Sequence, residues 1–170
     1  MSGRIGYEEI INVKELGINI DTIAGYNNTD IVKNVIEDAL NNNLSIICTG
    51  RFATGKSTTL KVILSTMNEN LEKMTIDEII SESDIKLIKK GSIKYTTMHS
   101  KNIFEAYERI TSNGIIPNTL LIELTLDING KRVINNISEI VKINDCKTNA
   151  LIPIVIVHRD EFKKINELMY

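Results

Sequence analysis

The sequence predicts an α/β fold in which a mainly parallel sheet is followed by an antiparallel C-terminal hairpin. The apolar run 44–49 has the length and composition of a buried parallel strand, and after a glycine-containing turn the segment 57–66 has apolar residues at helical spacing. Over 122–128 apolar and polar residues alternate singly, and Asn129-Gly130 then gives a strong signal for a hairpin turn. The strand–turn–helix unit and the late hairpin are the basis of this prediction.

Length and composition are those of an ordinary globular protein. The 170 residues suit a single domain, 1–170, with 42% hydrophobic and 25% charged residues. A net charge of −2 and the lack of a basic run give no direct signal for nucleic-acid binding. Cys48 and Cys146 suggest neither a metal site nor a disulfide framework, so reduced thiols are expected. We find no signal peptide and no apolar run near the roughly 18 residues that span a bilayer. This predicts a cytoplasmic protein that reaches a membrane only through partners.

The first two-thirds of the chain has the pattern of alternating helices and strands. Residues 1–28 are weakly patterned, and the apolar stripe over 31–40 predicts a helix. After the first strand, the turn and its helix, the expected elements are a strand at 73–76, a helix at 79–90, a strand at 92–98 and a helix at 102–112. In the last of these, the spacing predicts that Ile103, Phe104, Tyr107 and Ile110 face inward.

The C-terminal part is predicted to be antiparallel. A hairpin is expected over 120–145, with a half-exposed first strand in which Glu123 and the other polar residues face solvent. A further strand is expected over 151–157, where Pro153 favours an edge position or a nitrogen that faces away from the ladder. A terminal helix is expected over 160–169.

The turn after the first strand carries the pattern G-x-x-x-x-G-K-[ST] of a phosphate-binding loop. Gly50 and Gly55 let the backbone turn tightly and point N–H groups at phosphate oxygens, and the following helix adds the positive end of its dipole. Lys56 supplies a cation to the β- and γ-phosphates, and the Ser57 hydroxyl is a ligand for Mg²⁺. The pattern therefore predicts a nucleotide site. Its residues are Gly50, Arg51, Phe52, Ala53, Thr54, Gly55, Lys56, Ser57 and Thr58, with Ser57 as the metal ligand.

Turnover of a nucleotide also requires a carboxylate and a group that senses the γ-phosphate. Asp77 and Glu78 are the nearest carboxylates that follow a predicted strand, and ligands of open α/β sheets gather beyond the carboxyl ends of the strands. The alternative is that they form the acidic first turn of the next helix. His99, also at a predicted strand end, is able to bind a phosphate or orient water, although a lone histidine is more often only a satisfied polar residue.

Four segments of the chain resemble the ATPases of type II and type IV secretion, most closely the tight-adherence pilus branch. The segment 30–60 resembles the family's helix, strand and phosphate loop, and Met-Thr-Ile-Asp-Glu at 74–78 is similar to its acidic Asp box. Tyr-Thr-Thr-Met-His-Ser at 95–100, with the helix after it, resembles the His box, which is the more specific match. The segment 120–143 resembles the family's C-terminal hairpin.

The resemblance implies a RecA-like P-loop NTPase core that binds ATP and Mg²⁺ through residues 50–58. It implies that Asp77 or Glu78 polarises the attacking water and that His99 contacts the γ-phosphate. It also implies a homo-oligomeric ring, a hexamer in this bacterial family, that acts with membrane-embedded secretion or pilus components at the cytoplasmic face of the membrane.

The sequence also departs from that family. The family's separate N-terminal domain has no counterpart here, and only 20 residues lie between Glu78 and His99, where the family has a Walker B strand that ends in Gly-Glu. Asp77 takes the place of the first glutamate of the acidic pair. Arg-Phe-Ala at 51–53 replaces the small residues and glycine of the usual loop. These departures make nucleotide binding a safer expectation than turnover.

ATP hydrolysis coupled to secretion, pilus assembly or conjugation is the leading functional hypothesis. The alternative is a degenerate regulatory or interaction module that binds nucleotide without turnover, which the missing Walker B segment favours. A small-molecule kinase would need an acceptor site and a lid, for which we find no segment.

The link from Glu78 to His99 has room for one helix and one strand. The strand before His99 is therefore expected to run parallel to a core strand and to bring His99 beside the loop.

Overall fold

A computed structural model describes residues 15–17, 29–66, 75–79, 82–89, 93–112, 114, 116, 118–143 and 148–156. The helices are α1 (Thr29–Asn41), α2 (Lys56–Leu64), α3 (Glu82–Lys89) and α4 (Ile103–Thr111). The strands are β1 (Ser45–Gly50), β2 (Thr75–Ile79), β3 (Tyr95–His99), β4 (Thr119–Leu126), β5 (Arg132–Ile143) and β6 (Thr148–Ile156). The predicted terminal helix, Cys146 and nearly all of residues 1–28 lie outside the described residues. In the described part of the chain, every helix is too short or too polar to cross a bilayer.

The six strands form one mixed sheet in the order β2-β3-β1-β4-β5-β6. The first four in this order run parallel to their neighbours, whereas β5 and β6 are added antiparallel. The strand β1 therefore lies inside the sheet, and all six of its residues are buried. The hairpin expected in the C-terminal part is formed by β4 and β5.

Helices cover both faces of the sheet. On one face, α1 and α2 pack on β1 and β4 through a cluster that includes Ile36, Leu60 and Ile63. On the other face, α3 and α4 pack through a second cluster that includes Ile88 and Ile110. Burial of this apolar surface on both faces is the main force that holds the helices on the sheet.

The predicted half-exposed strand is wrong. Residues 119–124 of β4 are all buried, and the side chain of Glu123 is only 7% exposed. The reason is topological: β4 pairs with β1 on one side and with β5 on the other, so helices lie over both of its faces. In this alternation, the polar residue Glu123 belongs to a buried hydrogen-bond network and does not face solvent.

One further prediction near the core needs correction. Phe104 was expected to face inward but is 58% exposed, and Ala106 is buried on α4 beside Ile103 and Ile110.

The edge position expected from Pro153 is confirmed, since β6 is the last strand of the sheet. A proline is tolerated there because an edge strand needs only one complete ladder of hydrogen bonds.

Asp77 and Glu78 were predicted to follow a strand, but both lie within one. The strand β2 includes both Asp77 and Glu78, and α3 begins only at Glu82, so the alternative of an acidic first helical turn is also wrong. The pairing of β2 with β3 shifts between Ile76 and Ile79, so that two residues lie opposite Thr97. This two-against-one count is that of a β-bulge, a feature that is frequent at sheet edges.

Candidate functional site

The phosphate-loop pattern lies between the carboxyl end of β1 and the amino end of α2. Gly55, which precedes the first residue of α2, has φ 90°, and Ala53 has φ 61°. Turns with left-handed residues bring successive N–H groups to one side and form concave anion sites. Ala53 is unusual because a residue with a Cβ is rarely found at positive φ, and such conformations cluster at functional sites.

A single carbonyl oxygen organises the inside of this loop. The Lys56 ammonium donates to the Arg51 carbonyl oxygen at 2.9 Å, and the Thr54 hydroxyl donates to the same oxygen at 2.8 Å. The Lys56 charge is therefore held over the loop and not extended into solvent. Ser57 and Thr58 follow in the first turn of α2 and are partly buried, whereas the Phe52 side chain is 84% exposed.

His99 lies directly beside the start of the loop. The expected parallel pairing is confirmed: β3 runs parallel to β1, and the Cα of His99 is the register partner of Gly50. The Ser100 N–H also donates to the Gly50 carbonyl oxygen at 3.0 Å. Because side chains alternate along a strand, exposed His99 lies on the same face as Tyr95, which packs with α1 and α2.

A buried hydroxyl network fixes the segment that follows His99. Thr49 is fully buried, donates to the Met98 carbonyl oxygen at 3.0 Å and shares a 2.6 Å hydrogen bond with the Ser100 hydroxyl. The Ser100 hydroxyl also contacts the Asn102 carbonyl oxygen at 2.9 Å. The carboxyl ends of β1 and β3 are thus connected by side chains as well as by the ladder.

Glu123 anchors the amino end of α4 to the sheet. One carboxylate oxygen accepts from the Ile103 N–H, and the other accepts from the Asn135 side-chain amide of β5. The Asn102 side chain caps the same helix by accepting from the Glu105 N–H at 2.9 Å. A buried carboxylate is costly without such partners, so this arrangement commits Glu123 to holding α4 in place.

Asp77 and Glu78 lie on a strand that is not a direct neighbour of β1. They lie on β2, with β3 between them and β1. At the usual spacing of about 4.8 Å between neighbouring strands, β2 lies roughly 10 Å from β1. Among the described residues, no group of three or more histidine, cysteine or acidic side chains is placed to hold a metal ion.

Two residues that the sequence analysis did not select lie at the loop. Leu124 presents its carbonyl oxygen to Gly50, and Arg132 packs its side-chain stem on Gly55. Both belong to the β4–β5 hairpin. Arg51 also lines a cavity of about 270 Å³, together with residues of that hairpin and of the amino end of α4. The sequence around Arg132 gives no indication that it contacts Gly55, because the two residues are far apart in the chain.

Cys48 lies under the loop but has no chemical role there. It is fully buried in β1, and this burial raises the pKa of its thiol well above the usual range, because the thiolate would lose its hydration. Since the thiolate is the reactive form of cysteine, Cys48 is an inert part of the core.

The helix α2 contains one buried polar group that is not satisfied. Thr59 is 1% exposed, and its hydroxyl has no hydrogen-bond partner among the described residues. We expect Thr59→Val, which keeps the side-chain shape, to raise the free energy of unfolding by about 1 kcal/mol, measured by urea denaturation. In the matched control Thr111→Val, the lost hydroxyl donates to the Tyr107 carbonyl oxygen at 2.7 Å. That variant should be destabilised, and a Thr59→Val protein that is no more stable than wild type would contradict the expectation.

Comparisons with known proteins identify a shared fold. The chain matches no protein-family model and no curated protein sequence. Among solved structures it is similar to the VirB11 ATPase from the Brucella suis type IV secretion system, determined in complex with sulphate. The two share 10% identity with a TM-score of 0.50, over 76% of this chain and 54% of the VirB11 chain. This chain thus spans about half the length of that ATPase, and at this identity the similarity establishes a common fold.

Proposed function

We propose that this chain binds ATP with Mg²⁺ through residues 50–58. The observation that carries the proposal is the position of the loop, which joins the carboxyl end of a buried parallel strand to the amino end of a helix. Backbone N–H groups and a helix dipole favour anions at such a junction. The secretion-ATPase fold of the structural neighbour is consistent with this assignment.

The loop residues have distinct tasks in this proposal. Backbone N–H groups of the loop hold the phosphates, and Lys56 moves its ammonium from the Arg51 carbonyl oxygen to the β- and γ-phosphates. Ser57 would hold Mg²⁺ through its hydroxyl, since Mg²⁺ beside a nucleotide is usually bound by few protein ligands. Bound Mg²⁺ neutralises charge on the phosphates. His99, next to Gly50, contacts the γ-phosphate or its attacking water.

Replacing Lys56 by alanine tests the binding site. We expect the dissociation constant for Mg·ATP, measured by equilibrium dialysis with labelled ATP, to rise at least about tenfold, because charged hydrogen bonds to the phosphates are lost. The matched control is Lys61→Ala, which removes the same charge five residues further along α2. That control should bind as wild type does. Wild-type protein without saturable binding, or equal losses in the two variants, would overturn the proposal.

For this nucleotide site we further propose ATP hydrolysis coupled to a secretion or pilus machinery. In that setting the chain forms a homo-oligomeric ring, a hexamer, with membrane-embedded partners at the cytoplasmic face of the membrane. Mg·ATP should then shift the elution of the protein in size-exclusion chromatography towards a larger assembly. Phosphate release above that of Lys56→Ala is the corresponding enzymatic readout, and its absence would reject hydrolysis.

A second candidate function is a nucleotide-binding module without turnover. The observation that favours it is the position of β2, which places Asp77 and Glu78 roughly 10 Å from β1 with β3 between them. A general base must come within hydrogen-bond reach of the attacking water, directly or through one further water. Saturable ATP binding together with no phosphate release above Lys56→Ala would select this module over the hydrolase.

A further inference from the structure

The β4–β5 hairpin forms a wall against the phosphate loop at two points. A Cβ placed on Gly50 would lie 2.6 Å from the Leu124 carbonyl oxygen, so that no side chain fits between loop and strand. A Cβ placed on Gly55 would lie 3.2 Å from Cδ of Arg132 and 3.9 Å from its Cβ and Cγ. The stem of Arg132 is therefore packed along the backbone of the residue that precedes Lys56.

The hairpin turn holds Arg132 in this position. The Asp127 carboxylate accepts from the N–H groups of Asn129 and Lys131, each at 2.8 Å, and the Asp127 N–H donates to the Lys131 carbonyl oxygen at 2.8 Å. Arg132 follows at once as the first residue of β5 and is the register partner of Leu126. Its backbone is thus fixed, while its side chain is exposed at the rim of the sheet.

The charged end of Arg132 lies beyond Cδ, on a side chain that is exposed. Arg132 therefore adds positive charge beside the loop, close to the residue that precedes Lys56.

We propose that Arg132 is a second phosphate-binding cation of this site, supplied by the same chain from the β4–β5 hairpin. This inference rests on the proposed nucleotide site. Lys56 acts as a point charge on the phosphates, whereas a guanidinium presents a planar fork that binds two phosphate oxygens at once. Arg132 thereby favours ligands that carry a chain of phosphates, nucleoside di- and triphosphates, over nucleosides.

The test compares Arg132→Ala with the matched control Lys131→Ala, which removes the same charge from the adjacent exposed residue. Dissociation constants for Mg·ATP and for adenosine are measured by isothermal titration, with melting temperatures as a check on folding. We expect Arg132→Ala to weaken ATP binding about tenfold and Lys131→Ala by less than about twofold, since only the first loses a charged hydrogen bond. Adenosine binding should not change. Arg132→Lys should recover part of the loss, because it keeps the charge without the fork.

The outcomes separate this inference from the proposed function. If Lys56→Ala loses ATP binding but Arg132→Ala binds as wild type does, Arg132 is not a phosphate ligand and the proposed function stands. Equal losses of ATP affinity in Arg132→Ala and Lys131→Ala would show that any positive charge near the loop has the same effect, and would overturn the inference. If wild-type protein binds no ATP, the proposed function and this inference fail together.

Discussion

Replacing Gly50 by alanine is expected to lower the free energy of unfolding by about 2–4 kcal/mol and to abolish nucleotide binding. The new Cβ would lie 2.6 Å from the Leu124 carbonyl oxygen and 2.7 Å from the Thr54 hydroxyl. A backbone oxygen of a buried central strand cannot move away cheaply. The end of β1 must therefore separate from β4, and the loop loses the position that its N–H groups require.

Gly130→Ala provides the matched control for this loss. Gly130 also has positive φ, at +78°, but no atom lies within 4 Å of the position that its Cβ would take. That variant should lose only the conformational cost of alanine in the left-handed region, about 1 kcal/mol. Urea denaturation of both variants isolates the steric contribution. If Gly50→Ala were no less stable than Gly130→Ala, the close packing of loop and hairpin would be disproved.

Removal of the Glu123 carboxylate should have an effect of similar size. In Glu123→Ala, the buried Ile103 N–H and the Asn135 amide both lose their acceptor, and a buried donor without a partner costs free energy. We expect a loss of about 3 kcal/mol in the free energy of unfolding. Because α4 follows His99, the same variant should weaken Mg·ATP binding by loosening that end of β3.

Glu123→Gln distinguishes the hydrogen bonds from the charge. The glutamine oxygen continues to accept from the Ile103 N–H, and Asn135 can turn its amide so that its oxygen accepts from the new NH₂ group. The loss should then be about 1 kcal/mol, close to a single weakened hydrogen bond. Thermal and urea unfolding measure both variants. Equal losses in alanine and glutamine would show that the ionic charge, and not the bonding pattern, stabilises α4.

The parts of the fold that follow from local patterns were predictable. The pattern from Gly50 to Ser57 is typical of a turn between a strand and a helix, and both elements are present. The Asn129-Gly130 signal marks the hairpin that β4 and β5 form. The parallel direction of the strand that ends at His99 followed from the length of one crossover. In each case the information lies within about 25 consecutive residues, a span that local propensity and chain length describe well.

The features that could not be predicted depend on strand order. Glu123 alternates with apolar neighbours as a solvent-facing residue would, and only its position between β1 and β5 makes it a buried anchor. The distance of Asp77 and Glu78 from the loop likewise depends on β3 lying between β2 and β1. Arg132 reaches Gly55 through tertiary packing alone. No pattern along the chain encodes which strands become neighbours.

The dependence of the loop on the hairpin also bears on how the protein folds. The loop and the hairpin are separated by most of α2, β2, α3, β3 and α4, so their contact closes a long stretch of chain and belongs to the slow, entropically demanding part of folding. During synthesis, the ribosome releases the loop sequence well before the strand whose carbonyl oxygen shapes it. A chain that stops before β4 therefore contains the whole phosphate-loop sequence without its supporting wall. The nucleotide binding that we propose would thus be gained late, when the central strands of the sheet come together.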